Sequence, residues 1–103
     1  MRIKPGVRLL GLRTEMTIAT QIVDGFYKSV GSELVITSAT EGQHSRGSLH
    51  YVGLAIDART NNIPLEVDRA GFVEDIRIAL QDDYDVIDEK DHLHIEFQPK
   101  LPY

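Results

Sequence analysis

All four histidines of the chain fall in two short blocks, and these blocks constrain the fold most strongly. The first block covers residues 43–60 and the second covers residues 89–97. The second block alternates polar and apolar residues, which is typical of a half-buried β-strand. Such a strand places His92, His94 and Glu96 on one face and apolar side chains on the other. We therefore expect a sheet with one polar face and one face packed on a core.

The first block supplies two residue types that bind metal ions. Zinc accepts both imidazole nitrogen and carboxylate oxygen, so His50 and Asp57 could be two of the three protein ligands of a catalytic site. Residues 54–58 alternate again, which places Asp57 on a strand and His50 on the loop before it. An unpaired carboxylate on an otherwise apolar strand is costly, and a metal satisfies it directly. Since the chain has no cysteine, any metal must take nitrogen and oxygen ligands.

The remaining patterns predict an α+β domain. A chain of 103 residues suits one domain, taken here as residues 1–103. In order, we expect an irregular N-terminal arm (1–14), a helix (16–30), a strand (34–37), the motif loop, a strand (54–58), a helix within 65–80, and a hairpin (84–87 and 93–97). This order favours a mainly antiparallel sheet with helices packed on one face.

Apolar stripes and glycines refine the two helices. The expected stripes are Ile18, Ile22, Phe26 and Val30 in the first helix, and Phe72, Val73, Ile76, Ala79 and Leu80 in the second. Thr14 or Thr17 is expected to cap the first helix and Gly31 to end it. Gly25 inside that helix costs about 1 kcal/mol relative to alanine, which predicts a close approach by a neighbouring element. Gly53 either permits close backbone packing beside the motif or is a turn glycine.

The charge balance limits the partners. Acidic residues outnumber basic ones by 16 to 11, which gives a formal net charge of -5. This charge argues against nucleic acid or an anionic membrane surface as the main partner. The sequence shows no apolar signal-peptide region, and no stretch approaches the roughly 20 apolar residues of a membrane span. We therefore expect a chain made in the cytoplasm without a signal peptide, with a monomer as the default state.

The two blocks together resemble a known enzyme family. The pattern Ser-x-His-x-x-Gly-x-Ala-x-Asp runs from Ser48 to Asp57, and Asp-His-x-His follows from Asp91 to His94. Both motifs, in this order, are similar to those of the zinc D-Ala-D-Ala carboxypeptidase family (peptidase family M15), which includes D-Ala-D-Ala dipeptidases and phage L-alanyl-D-glutamate endolysins. The resemblance covers residues 33–97 and implies a Hedgehog/DD-peptidase-like fold.

The resemblance also implies a ligand set and an activity. It assigns one Zn2+ per chain to His50, Asp57 and His94. Two neutral imidazoles and one carboxylate leave a net charge of about +1 on the site, enough to polarise a substrate carbonyl and to lower the pKa of bound water toward about 7. The implied activity is that of a D-Ala-D-Ala carboxypeptidase or an L-Ala-D-Glu endopeptidase on the peptidoglycan stem peptide.

Further roles are implied for residues around those ligands. The family places a carboxylate three residues before the last zinc histidine, which makes Asp91 the expected general base and leaves Glu89 as its rival. His92 matches the histidine that steadies the oxyanion or the substrate. Ser48 matches the motif serine and is expected to bind the substrate terminus or the metal shell. Arg46 is a weaker candidate for holding a substrate carbonyl or carboxylate.

One departure from the family concerns substrate preference. The Tyr-Arg pair that family members often carry after the first strand is replaced here by Thr40 and Glu41. Arg46 and Arg59 are the available substitutes. Glu96 is expected to orient a ligand histidine or to be a solvated strand residue, rather than to be a fourth ligand.

Two classes of function stay open. A short member of this family suits a phage or prophage lysis protein or a virion-associated domain, which would act on the cell wall. The alternative is a non-catalytic domain that keeps zinc for structure or binding, for instance in a phage particle. The presence of Asp91 and His92 beside the ligands favours the enzyme, because a structural zinc site needs neither.

Overall fold

The computed structural model describes residues 1–41 and 48–100. Within these residues the elements are, in chain order, β1 (Arg2–Ile3), α1 (Thr14–Ser29), β2 (Val35–Ser38), a 3₁₀ turn (Leu49–Val52), β3 (Ala55–Arg59), α2 (Arg69–Leu80), β4 (Tyr84–Asp88) and β5 (His92–Phe97). The strands form one sheet in the order β1-β2-β3-β5-β4, in which β1 and β2 are parallel and every other neighbouring pair is antiparallel. The predicted α+β class and mainly antiparallel sheet are confirmed. In the described part of the chain, no helix has the length and apolar character needed to span a membrane.

Both helices pack on the same face of this sheet. An edge-to-face contact between Tyr27 and Phe72, with ring centroids 5.3 Å apart, joins α1 to α2. From the sheet, β3 contributes the fully buried Ile56 and Ala58, while Asp57 between them points to the other face. Burying an aliphatic side chain of the size of isoleucine contributes about 1.5–3 kcal/mol. The sheet therefore has an apolar face beneath the helices and a polar face that carries Asp57.

The buried stripe of α1 differs from the predicted one. The helix buries Met16, Ala19, Thr20, Val23 and Tyr27. Of the predicted stripe, Ile18 and Ile22 are 52% and 36% exposed, while Phe26 and Val30 are partly buried against the core. The Tyr27 hydroxyl is satisfied inside the protein, because it donates to the carbonyl of Arg59 at 2.7 Å. The Thr20 hydroxyl likewise donates to the carbonyl of Met16 at 2.7 Å. Two residues of polar type thus occupy the core side of the helix, which the apolar spacing alone did not indicate.

The two ends of α1 give opposite outcomes. The helix begins at Thr14 and its cap position is Arg13, which makes no side-chain capping bond, so the predicted caps Thr14 and Thr17 are wrong. The predicted stop is confirmed. Gly31 has φ 75° and donates its N–H to a carbonyl of the last turn, as glycine does after many helices.

The second half of the chain follows the predicted order. The α2 stripe is buried as expected at Phe72, Val73, Ile76 and Leu80, while Ala79 is exposed. The strands β4 and β5 form the predicted hairpin. The hairpin turn is anchored to Thr60, the residue after β3. The backbone N–H of Thr60 donates to the carbonyl of Asp91 at 3.2 Å, and the Thr60 hydroxyl donates to the carbonyl of Lys90 at 2.6 Å. The hairpin turn is therefore tied to the centre of the sheet.

The N-terminal arm is more ordered than predicted. It contains β1, which extends the sheet beside β2, and of its leucines only Leu12 packs against the core. The arm then contacts the turn after the first motif, where the N–H of Arg13 donates to the carbonyl of Gly53 at 2.9 Å. Gly53 has φ 76°, and a Cβ there would lie 2.0 Å from the carbonyl oxygen of Gly11. The predicted close backbone packing at Gly53 is confirmed.

Alanine substitutions at Gly53 and at Gly25 distinguish the effect of close packing on stability from the effect of helix propensity. Gly25 has no atom within 4 Å of a built Cβ, so the predicted close approach at this helical glycine is wrong. We expect Gly53→Ala to lower the free energy of unfolding by about 1–3 kcal/mol, because it meets both a positive φ and the Gly11 carbonyl. Gly25→Ala should raise it by about 0.4–1 kcal/mol. Urea unfolding of both variants checks this, and equal unfolding free energies would contradict it.

Candidate metal centre

The pairing of β3 with β5 brings the first two candidate ligands together. Asp57 lies directly opposite His94 in the antiparallel register, so both side chains stand on the polar face of the sheet. The Nδ1 atom of His94 is 3.0 Å from Oδ1 of Asp57. These residues are 37 positions apart in the sequence, and only the strand pairing makes them neighbours.

The third candidate ligand comes from the 3₁₀ turn. Ser48 caps this turn by accepting the N–H of His50 at 3.2 Å, and Gly53 ends it in a left-handed conformation. The turn buries His50, whose side chain is only 3% exposed. The ring Nδ1 of His50 lies 2.7 Å from the carbonyl oxygen of Ala39. Because a carbonyl can only accept, Nδ1 carries the hydrogen, and in the neutral ring Nε2 presents its lone pair to Asp57.

The ring of His94 is held through its other nitrogen, Nε2, by a side-chain carboxylate. Its Nε2 lies 2.8 Å from Oε1 of Glu96, which is two residues further along β5 on the same face. An ionised carboxylate also only accepts, so Nε2 carries a hydrogen and Nδ1 is the nitrogen left for a metal. Of the two interpretations of Glu96, the structure favours the partner of a ligand histidine.

Three donor atoms, His50 Nε2, His94 Nδ1 and Asp57 Oδ1, form a small triangle. The two ring nitrogens are 3.3 Å apart, His50 Nε2 is 3.4 Å from the Asp57 oxygen, and His94 Nδ1 is 3.0 Å from it. Tetrahedral zinc with bonds of about 2.0–2.1 Å separates its ligand atoms by about 3.3 Å. The triangle therefore has the size of one face of a zinc tetrahedron. His50, Asp57 and His94 fit the metal that the motif implies.

The charges of the metal-free site also suit a cation. Burial opposes ionisation of Asp57, but the neighbouring rings of His50 and His94 outweigh burial and hold the pKa of this carboxyl well below its usual range. The hydrogen bond to Asp57 raises the pKa of His94 to about 9 against the effect of burial, and Glu96 adds to the rise. Without metal, His94 therefore carries a proton at neutral pH between two carboxylates, and a metal ion must displace the proton on Nδ1.

Of the expected catalytic residues, His92 lies at the rim of the triangle, and Asp91 contacts the ring of His92 through its other nitrogen. His92 Nε2 is 3.9 Å from Oδ2 of Asp57 and 3.4 Å from Oε2 of Glu89. Its Nδ1 is 2.7 Å from Oδ1 of Asp91, and this hydrogen bond holds the pKa of the Asp91 carboxyl below its usual value. Asp91 is 86% exposed, so its carboxylate faces solvent. Both hairpin carboxylates thus contact the same ring, Glu89 on the nitrogen nearer to Asp57 and Asp91 on the other.

The structure describes only one of the two expected substrate-binding residues. Ser48 caps the turn that carries His50, which is a positioning contact. Arg46 lies outside the described residues. Arg59, the other candidate cation, is the register partner of His92 and shares the polar face of β3 with Asp57. The residue that sequence reasoning missed is Ala39, since its contribution is a backbone carbonyl and no side-chain pattern marks it.

Comparisons of the chain with models of protein families, with curated proteins and with solved structures found no match. The interpretation of the site therefore depends on its own geometry and on the two sequence motifs.

The protonation of His94 predicts how zinc binding depends on pH. Below a pKa of about 9 the ring holds the proton that zinc must displace, so zinc binding releases a proton. We expect the apparent zinc affinity to rise about tenfold per pH unit between about pH 6 and pH 8.5. Competition with a chromophoric chelator, corrected for the chelator's own protonation, measures this slope. An affinity that stays constant over this range would contradict the proposed displacement, and His94→Ala should abolish tight binding at every pH.

Proposed function

We propose that this chain is a zinc-dependent peptidase that hydrolyses peptide bonds of peptidoglycan, with one Zn2+ per chain and a Hedgehog/DD-peptidase-like fold. The observation that carries the proposal is the donor triangle of His50, Asp57 and His94. These are the three residues to which the motif resemblance assigns zinc. Sequence spacing and three-dimensional geometry both support the same three ligands.

The ligand set suits catalysis better than a closed structural site. The three ligands found among residues 1–41 and 48–100 leave one position for water or substrate, whereas structural zinc sites commonly use four protein ligands. Asp57 and His94 keep 16% and 14% of their side chains exposed, so the centre is reachable from the polar face of the sheet. Zinc bound here would supply a Lewis acid and an acidified water, at a site charge of about +1.

The residues at the rim supply the proton transfers. A carboxylate of the hairpin turn takes the proton of the attacking water and returns it to the leaving amine. Asp91 holds the position that the resemblance assigns to this base, and Glu89 is its rival. His92, between the two carboxylates and beside Asp57, is placed to donate from Nε2 to the oxygen on which negative charge develops.

The substrate that we propose is the peptidoglycan stem peptide, cut as a D-Ala-D-Ala carboxypeptidase or an L-Ala-D-Glu endopeptidase would cut it. The net charge of -5 disfavours nucleic acid and anionic membrane surfaces as alternatives. A phage or prophage lysis protein or a virion-borne domain is the setting in which a short enzyme of this kind reaches the cell wall.

Zinc content and hydrolysis measured on the same preparations test this function. We expect about one zinc per chain in the wild type by elemental analysis and release of peptide fragments from purified peptidoglycan, both lost in His94→Ala. Asp91→Ala should keep its zinc while hydrolysis falls at least about 100-fold, because only the proton transfer is removed. Glu89→Gln is the matched control and should stay within about threefold of the wild type.

Each contrary result has a distinct meaning. A wild type that takes up no stoichiometric zinc, even after zinc is added back, rules out the proposal. A zinc-loaded wild type that releases no peptidoglycan fragments leaves the non-catalytic zinc domain as the function. Full hydrolysis by Asp91→Ala together with loss in Glu89→Gln moves the base to Glu89.

A further inference from the structure

We infer that Glu96 is a positioning residue for the metal centre: it holds the ring of His94 so that Nδ1, and not Nε2, faces Asp57 and His50. This inference rests on the zinc site of the proposed function. It concerns a residue that neither motif includes, since the second motif ends at His94.

The contact itself is short and partly shielded from solvent. Glu96 Oε1 lies 2.8 Å from His94 Nε2, and the two side chains are 15% and 14% exposed. This bond places the hydrogen on Nε2 and the lone pair of the neutral ring on Nδ1, within the donor triangle. An imidazole without such a partner can adopt the other tautomer or turn about its Cβ–Cγ bond, and either change removes Nδ1 as a ligand.

A second set of contacts holds Glu96 in turn. The side-chain amide of Gln98 faces only acceptors, so its orientation is assigned with the nitrogen toward them, and it then donates to Oε2 of Glu96 at 2.9 Å and to Oδ2 of Asp85 at 3.2 Å. Lys100 Nζ lies 3.1 Å from the Asp85 carboxylate. Both oxygens of Glu96 are therefore engaged, one by the ligand histidine and one by the amide. A carboxylate fixed at both oxygens leaves its histidine little freedom to rotate.

The placement of Glu96 is unfavourable for the strand alone. In the pairing of β4 with β5, Glu96 lies directly opposite Asp85, and like charges in that position destabilise a sheet. The Gln98 amide bridges the two carboxylates and reduces their repulsion. The contact with His94 offsets the remaining repulsion from Asp85, and it is the interaction that accounts for a glutamate here.

Glu96 affects metal binding in two ways. Orientation of the ring keeps Nδ1 in the triangle, and the negative charge makes the imidazole a more basic ligand. Glu96→Gln keeps an oxygen that can accept from Nε2 but removes the charge. Glu96→Ala removes both. Comparing the two variants therefore separates orientation from charge.

Zinc affinity measured by chelator competition tests the inference without relying on hydrolysis. We expect the dissociation constant for zinc to rise about 10- to 100-fold in Glu96→Ala and by a smaller factor in Glu96→Gln. Glu74→Ala is the matched control, since it removes an exposed carboxylate of α2 that pairs only with Arg77 among the ion pairs of the described residues, and its zinc affinity should stay within about threefold of the wild type. The absorption spectrum of the cobalt(II)-loaded protein should change in Glu96→Ala, because the ligand geometry changes, and stay as in the wild type in Glu74→Ala.

Thermal unfolding of the metal-free variants distinguishes loss of a ligand orientation from loss of the fold. We expect metal-free Glu96→Ala to stay folded and to unfold at a lower midpoint than the wild type, because it loses the ion pair with protonated His94. A folded Glu96→Ala that binds zinc as tightly as the wild type overturns the inference and leaves the proposed function intact. A zinc-binding wild type without peptidase activity overturns the function but not the role of Glu96. A wild type that binds no zinc overturns both.

Discussion

The pairing of β3 with β5 is the constraint on which the candidate site depends. Its register sets Asp57 opposite His94 on the polar face and, at the same time, sets Ile56 opposite Ile95 beneath the helices. A slip of one residue would turn every side chain of a strand to the other face, separating the ligands and exposing the core. The apolar packing on one side of the sheet therefore stabilises the arrangement of ligands on the other.

Two hydrogen bonds decide which atoms the histidines offer to a metal. The carbonyl of Ala39, just after β2, accepts from His50, and the carboxylate of Glu96 on β5 accepts from His94. Each acceptor places the ring hydrogen on one nitrogen and leaves the other nitrogen for a metal. The cost of ordering the ligands is thereby largely incurred on folding, and a metal ion meets a site that is already arranged.

His50 is the one ligand of the three that no strand carries, and other parts of the chain hold it instead. Ser48 caps its turn, and Gly53 closes the turn against the N-terminal arm at Gly11. The arm is itself part of the sheet through β1. A segment that reads as irregular in the sequence thus helps to position a metal ligand.

The sequence by itself determined the α+β class, most of the element order and the three candidate ligands, because hydrophobic period and motif spacing are local properties of the chain. It did not determine which stripe of α1 is buried, since Ile18 and Tyr27 lie on stripes that both fit the helical period and only packing against the sheet and α2 selects one. Nor did it indicate that Ala39 orients a ligand histidine, because a backbone carbonyl has no sequence signature. Only the tertiary structure decided the orientation of both ligand histidines and the contact between Glu96 and His94, since these depend on distances between strands and turns that are remote in the chain.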